Sequence, residues 1–364
     1  MTKRNALIAA CLLVVLIGAA IIIFSLMDRT KEGEHSSNGN KQHTADVALP
    51  VLSAWIVDWQ WKQGLEDLSI IKGELTSLQL FAAYFDYKDS LYFTDKFQQA
   101  LPEIMKVYKK NEQQQIYMTI VNDQFNENGE SIQKDSSLIT RLVASEKSRK
   151  KHVDELLAAV DQFGVNGIEI NYERVEEQDW ERVLLFYSEL YARLQKEGKS
   201  LRIVLEPRAP IEQFKLPEGP DYVMMAYNLY GSHSGPGPNA DKAFIEQLAS
   251  RMEVLPGKPY MAFSVGGFDW REDGKVEALT EERAALLLKQ TGSTAQRDQA
   301  SGSMYFEYTD AETDNMKHTV WYADQVTISQ WLDIAKRSGY SKAAIWRLGE
   351  IEMDSLSNLK LHTK

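Results

Sequence analysis

From Val51 onward, short apolar runs rich in β-branched and aromatic residues alternate with longer stretches in which apolar positions recur every three or four residues. Runs of the first kind read as buried strands and those of the second as amphipathic helices; their alternation specifies parallel strands joined by crossover helices. Eight runs have strand character: LSAWIVDW at 52–59, SLQLFAAYF at 77–85, QIYMTIV at 115–121, GIEINYE at 167–173, LRIVLE at 201–206, YVMMAYN at 222–228, PYMAFSV at 259–265 and AAIWRL at 343–348. Eight such runs predict a closed (β/α)8 barrel in an α/β chain. Helical spacing is clearest on either side of the fourth run. Val153, Leu156, Leu157, Val160 and Phe163 precede Gly164, and Trp180, Val183, Leu184, Tyr187, Leu190 and Leu194 precede Gly198, so each helix is expected to stop at a glycine. The cations Lys147, Arg149, Lys150 and Lys151 fall in the first of these helices and read as its solvated face.

The alternation breaks between the seventh and eighth runs. Residues 266–325 hold a helical pattern at 279–290 and two strand-like stretches, SMYFEYTD at 303–310 and KHTVWYAD at 317–324, separated by a polar turn at 311–315. A small α+β lobe inserted beside the barrel mouth is expected there. At the other end, no charged residue occurs from Ala6 to Met27. A helix of about 22 residues rises roughly 33 Å, enough to cross a hydrocarbon core of about 30 Å. Residues 1–27 are therefore read as a signal-anchor with a single transmembrane helix at 6–27. Residues 28–48 then form a polar linker, and residues 49–364 the barrel domain. Lys3 and Arg4 precede the apolar segment, which places the barrel outside the cell membrane. Cleavage after Gly18-Ala19-Ala20 would make it a secreted protein, but would leave the apolar Ile21-Ile22-Ile23-Phe24 at the new terminus.

Composition narrows the function by exclusion. Lys and Arg total 41 against 52 Asp and Glu, a formal charge of −11 that argues against a nucleic-acid partner. The single cysteine, Cys11, lies in the apolar segment, so the body of the chain forms no internal disulfide and no thiolate metal site. His152, His233 and His318 are among six histidines without HExxH-type spacing, and neither a metal nor another cofactor is expected. The chemistry is sought instead on the fourth run. Side chains alternate faces along a strand, so Glu169, Asn171 and Glu173 point the same way, into the barrel. Three polar groups there are costly unless partnered or used, and functional groups collect at the C-terminal ends of barrel strands.

The stretch Asn166-Gly167-Ile168-Glu169-Ile170-Asn171-Tyr172-Glu173 resembles the fourth-strand pattern DGxDxDxE of glycoside hydrolase family 18, which ends in the catalytic acid. Met225-Ala226-Tyr227-Asn228 is similar to the sixth-strand MxYD motif, and GSHSGPGP at 231–238 to the loop after it. Ala344-Ile345-Trp346-Arg347-Leu348-Gly349 is similar to the eighth-strand motif whose Trp floors the sugar subsite. The resemblance spans roughly residues 50–355 and implies a TIM barrel that cleaves glycans containing N-acetylglucosamine, such as chitin oligomers, peptidoglycan or spore cortex. It implies substrate-assisted retaining hydrolysis, in which the substrate's acetamido oxygen attacks the anomeric carbon and the protein supplies no nucleophile. Glu173 is then the proton donor, aided by Asn171 and Tyr227; Glu169, Asn228, Trp346, Trp55 and Tyr230 are the expected substrate contacts. Asn replaces the family's Asp at 166, 171 and 228, and Glu replaces it at 169. Loss of charge at 171 removes a preorganised electrostatic contact worth about 10²–10³ in rate, so the alternatives are a glycan-binding, chitinase-like lectin or a membrane-anchored structural protein. A Glu173 carboxyl open to solvent, or held by a cation with no cavity beside it, is the arrangement that would remove the catalytic reading.

Overall fold

The structure, a computed structural model, describes residues 51–108, 114–310 and 315–362. The expected transmembrane segment 6–27, the linker 28–48 and Cys11 lie outside these residues. No helix among the described residues is long and apolar enough to cross a membrane.

Eight parallel strands close into a barrel: β1 (Val51–Val57), β2 (Leu75–Phe85), β3 (Gln115–Phe125), β4 (Gly167–Asn171), β5 (Ser200–Leu205), β6 (Asp221–Met225), β7 (Tyr260–Ser264) and β8 (Lys342–Leu348). Each pairs with the next in chain order, and β8 pairs with β1 to complete the ring. All eight expected strand runs fall on these strands. The fourth and sixth stop early, however, leaving Tyr172-Glu173 and Ala226-Tyr227-Asn228 beyond the ladder. Arg174 and Asn228 then take left-handed backbone angles, φ 56° and 65°, which turn the chain off the sheet at the barrel rim.

Period-two patterning divides the core into two layers. On β6 and its exit, Val223, Met225 and Tyr227 join the barrel interior with Val204, Ala262 and Ala344, whereas Tyr222, Met224 and Ala226 pack outward beneath the helices. One glycine is required by the tightness of the ring: a Cβ at Gly167 would lie 2.3 Å from the Ser200 carbonyl oxygen.

The helices flanking β4 form as their sequence predicts. Ser145 caps the helix Glu146–Phe163 in a reciprocal capping box with Ser148, and Gly164 (φ 63°) ends it. The helix Trp180–Lys196 closes through Gly198 and Lys199, whose N–H groups donate to the carbonyls of Gln195 and Leu194. The basic cluster does not lie wholly on a solvated face: Lys147, Lys150 and Lys151 are exposed, but Arg149 is buried and pairs with Glu189 of the next helix at 2.9 Å.

The inserted lobe is a five-stranded sheet in the order 276–279, 266–271, 316–323, 304–310, 296–297, with the helix Glu281–Thr291 against it. Phe306, Val320, Tyr322, Leu279 and Ala284 form its core. The two expected strands pair with each other, and of the expected turn, 311–315, residues 311–314 lie outside the described residues. The strand Gly266–Arg271 was not expected, because its Gly-Gly start reads as a breaker. Here the glycines allow close approach: a Cβ at Gly267 would lie 1.9 Å from the Trp321 carbonyl oxygen.

Candidate active site

The side chains of β4 and its exit occupy three successive environments. Glu169 is lowest and fully buried. One of its oxygens accepts from Trp55 Nε1 at 2.6 Å and Thr119 Oγ1 at 2.8 Å, and the other pairs with buried Arg202 at 2.9 Å. Arg202 also lies over the rings of Tyr260, at 4.5 Å, and Tyr117, at 5.5 Å. Glu169 and Trp55 were expected among the substrate contacts; the structure seals them in the barrel interior at 0% and 2% exposure, with the polar groups named above engaged with each other or with neighbours. The physical reason is Arg202 on the adjacent strand, a buried cation that needs a carboxylate partner.

One layer higher, Asn171 is buried and its Oδ1 has no hydrogen-bond partner among the described residues. Tyr227, past the end of β6, is buried to 7% exposure, and no protein group within the described residues bonds its hydroxyl. Burial, reinforced by the charges of Glu173 and Glu169, holds that phenol well above its ordinary titration range, so it is a hydroxyl donor at any working pH. Half-buried Trp346 meets Trp55 edge-on at 5.8 Å and Phe81 at 4.9 Å, and Phe81 in turn meets exposed Trp59 at 5.6 Å. These rings run from the barrel interior to the rim.

Glu173 occupies the rim, two residues beyond β4, at 9% exposure. Its backbone is clamped by Asn122 at the end of β3: the Glu173 N–H donates to Asn122 Oδ1, and Asn122 Nδ2 donates to the Glu173 carbonyl, both at 2.9 Å. Its carboxylate pairs with Lys134, which stands on the hairpin following β3 with φ 55° and donates its N–H to Asp123 at 2.8 Å. Burial raises the carboxyl above the ordinary glutamate range; Lys134 opposes this, and the charges of Glu206 and Asp123 add to the rise. Glu173 also lines a cavity of about 670 Å3 together with Lys134, Glu206, Asn228, His233 and Phe268. The acid is thus partnered by a cation, but beside open volume. Phe268 belongs to the lobe, which forms one wall of the cavity rather than filling it.

Glu173 and Asn228 therefore share the cavity, while Asn171, Tyr227 and Trp346 belong to the upper barrel interior. Tyr230 lies apart, 37% exposed, with its ring packed over Gly237. Sequence reasoning missed Asn122, Lys134 and Glu206. Position at the C-terminal end of a barrel strand was a signal for Asn122 and Glu206; Lys134 comes from a hairpin whose sequence carries none.

Three comparisons bear on this arrangement. The profile of Glycosyl hydrolases family 18 matches residues 58–350. Two curated proteins of Bacillus subtilis (strain 168), the uncharacterized glycosylase YvbX and a cortical fragment-lytic enzyme, are each 25% identical over 231 residues. Those regions are 59% and 57% of this chain and 66% and 52% of the relatives, so the chain spans less than two thirds of either. A chitinase from Chromobacterium violaceum superposes with a TM-score of 0.73 over 86% of this chain and 98% of its own, at 16% identity, a likeness of fold.

Proposed function

The chain belongs to glycosyl hydrolases family 18, and from that membership we propose that it hydrolyses β-1,4-linked glycans containing N-acetylglucosamine by substrate-assisted retention. The observation that carries the reading is the pairing of a buried, unbonded Asn171 Oδ1 with a buried Glu173 carboxyl beside the cavity. An unsatisfied buried acceptor costs free energy in the free protein and is relieved by a donor on the ligand. The acetamido N–H is such a donor. Accepting from it aims the acetamido oxygen at the anomeric carbon, and Tyr227 donates to the same group. Trp346 floors the sugar ring. Glu173 protonates the departing glycosidic oxygen and then, as carboxylate, takes a proton from the water that opens the oxazolinium ion.

Burial supplies the raised affinity for protons that a carboxylate at 171 would otherwise supply. Retention of this sheltered acid favours turnover over a lectin role. Chitin oligomers, peptidoglycan strands and spore cortex all carry the acetamido group that this chemistry requires. The apolar segment 6–27 would hold the domain at the outer face of the cell membrane, near cell-wall glycans. The test is release of N-acetylglucosamine oligomers by the wild type, Glu173→Gln and Asn171→Asp. Activity that collapses in Glu173→Gln is expected; equal background from all three removes the enzymatic claim.

A further inference from the structure

The cavity beside Glu173 differs in charge from the rest of the molecule. The chain carries a formal charge of −11, yet Lys134, Arg174, Arg208 and Arg251 line this cavity against two carboxylates, Glu173 and Glu206. Arg251 is bound to Glu212 and Lys134 to Glu173. Arg174 and Arg208 are exposed, and no acid within the described residues pairs with either guanidinium. Arg174 is held at the rim by its left-handed backbone and by its N–H, which donates to Glu206 at 2.7 Å. A neutral chitin chain offers two free guanidinium groups only uncharged oxygen acceptors, whereas their fork geometry and charge match a carboxylate.

We infer that this side of the cleft is a subsite for a glycan bearing carboxylate groups: Arg174 and Arg208 hold a substrate carboxylate, and Lys134 moves its ionic contact from Glu173 to that carboxylate on binding. The inference rests on the hydrolase reading and narrows its substrate class. It also gives Lys134 a purpose, since an ammonium ion on the proton donor opposes catalysis until something draws it away. The charged and titratable groups around Glu173 are Lys134 from the hairpin, Asp123 on β3, Glu206 after β5 and Tyr227 after β6, with Arg174, Arg208 and Arg251 lining the shared cavity. With Lys134 withdrawn and Arg174 and Arg208 engaged by the substrate carboxylate, Glu206 and Asp123 favour the protonated acid. Lys134 is thus a positioning residue that couples substrate charge to readiness of the donor.

The experiment compares dissociation constants of the full-length protein for three probes of equal glycan length: neutral chitin oligomers, peptide-free peptidoglycan strands with lactyl carboxylates, and strands whose only carboxylates lie on peptide stems. At least one acidic probe is expected to bind about tenfold or more tighter than chitin, with the preference shrinking as salt is raised. Which acidic probe it is identifies the source of the carboxylate. Replacing both arginines, Arg174→Ala with Arg208→Ala, should abolish the preference, and Arg174→Lys with Arg208→Lys should restore part of it at an unchanged melting temperature. With Lys134→Ala, the alkaline limb of the pH–rate profile should lie at the same pH for acidic and neutral substrates, above the wild-type limb on chitin. Equal wild-type affinities for chitin and both acidic probes would overturn the subsite while leaving hydrolysis standing. A charge preference without cleavage of any probe would do the reverse.

Discussion

Glu169 and Glu173 lie four residues apart on one strand and its exit, at 0% and 9% exposure, and their surroundings give them opposite roles. Glu169 is bonded to two neutral donors and a buried guanidinium that has no solvent to turn to. Glu173 is bonded to one ammonium on a rim hairpin and borders a cavity. Burial alone therefore does not mark a catalytic carboxyl. What separates the two is whether the partner can leave. Arg202 is enclosed by Glu169, Tyr117 and Tyr260, whereas Lys134 has both solvent and cavity on its open side.

The largest expected effect tests the open member of the pair. Glu173→Gln keeps shape and hydrogen-bonding capacity but has no proton to give, so hydrolysis should fall by about 10²–10⁴ with little change in melting temperature. Undiminished turnover would show that the rim carboxyl is as structural as the interior one. The closed member should respond in the opposite currency: Glu169→Ala leaves Arg202 buried and unpaired, at a cost of about 3–5 kcal/mol. For a domain of this size that is a fall of roughly 5–8 °C in thermal midpoint, read by calorimetry. Replacing the pair together, Glu169→Leu with Arg202→Met, should recover most of that loss. If the single variant melts like the wild type, the contrast between interior and rim fails.

The sequence made the barrel legible because eight strands with apolar faces alternate with amphipathic helices, and both signals are periodic. It also brought Glu173 forward, since a carboxylate at a barrel-strand end is costly without a use. The ion pair that holds Glu169 was not legible, because alternation gives the face a side chain points to, not the layer it reaches. Its counter-charge, Arg202, lies 33 residues further on and becomes its neighbour only when β4 pairs with β5. Lys134 was invisible for a related reason. Its place beside the acid depends on a hairpin tied down by Asn122, Asp123 and Asp135 through bonds that leave no hydrophobic pattern. The lobe strand Gly266–Arg271 was missed because a local breaker signal stood where tertiary packing demands the absence of a side chain.

A third buried carboxyl sharpens the comparison by having only neutral partners among the described residues. Glu281, at the start of the lobe helix and 3% exposed, accepts from Ser355 Oγ at 2.6 Å and from the Glu352 N–H at 3.2 Å. Without a cation, burial pushes its pKa from 4.5 to about 7. A carboxyl whose folded pKa stands above its unfolded value takes up a proton on folding. Its contribution is therefore full below about 4.5 and is lost as pH rises through about 7. Glu281→Gln should remove this dependence and stabilise the protein at pH 8 relative to wild type by up to about 3 kcal/mol, measured by denaturant unfolding across that window. A variant with the same pH slope as the wild type would show that a buried carboxyl needs no cation to stay ionised here, and the distinction drawn between Glu169 and Glu173 would lose its basis.

The smallest effect concerns the residue between the two carboxylates. Asn171 can already accept from an acetamido N–H, so Asn171→Asp gains charge but not a new contact. The expected rise in the rate of hydrolysis is about tenfold, less than the loss usually seen when a preorganised group is removed outright. The same substitution places a second carboxylate beside Glu173, and like charge favours the protonated acid, so the alkaline limb of the pH–rate profile should move to higher pH. It also buries an anion at a position that is neutral in the wild type, which should lower stability. Faster turnover with lower stability would show that Asn171 holds the middle layer neutral, keeping the enclosed ion pair and the releasable one electrostatically apart. A slower variant would mean that the Asn171 carbonyl is needed as it stands, and that the two flanking carboxylates leave no room for a third negative charge.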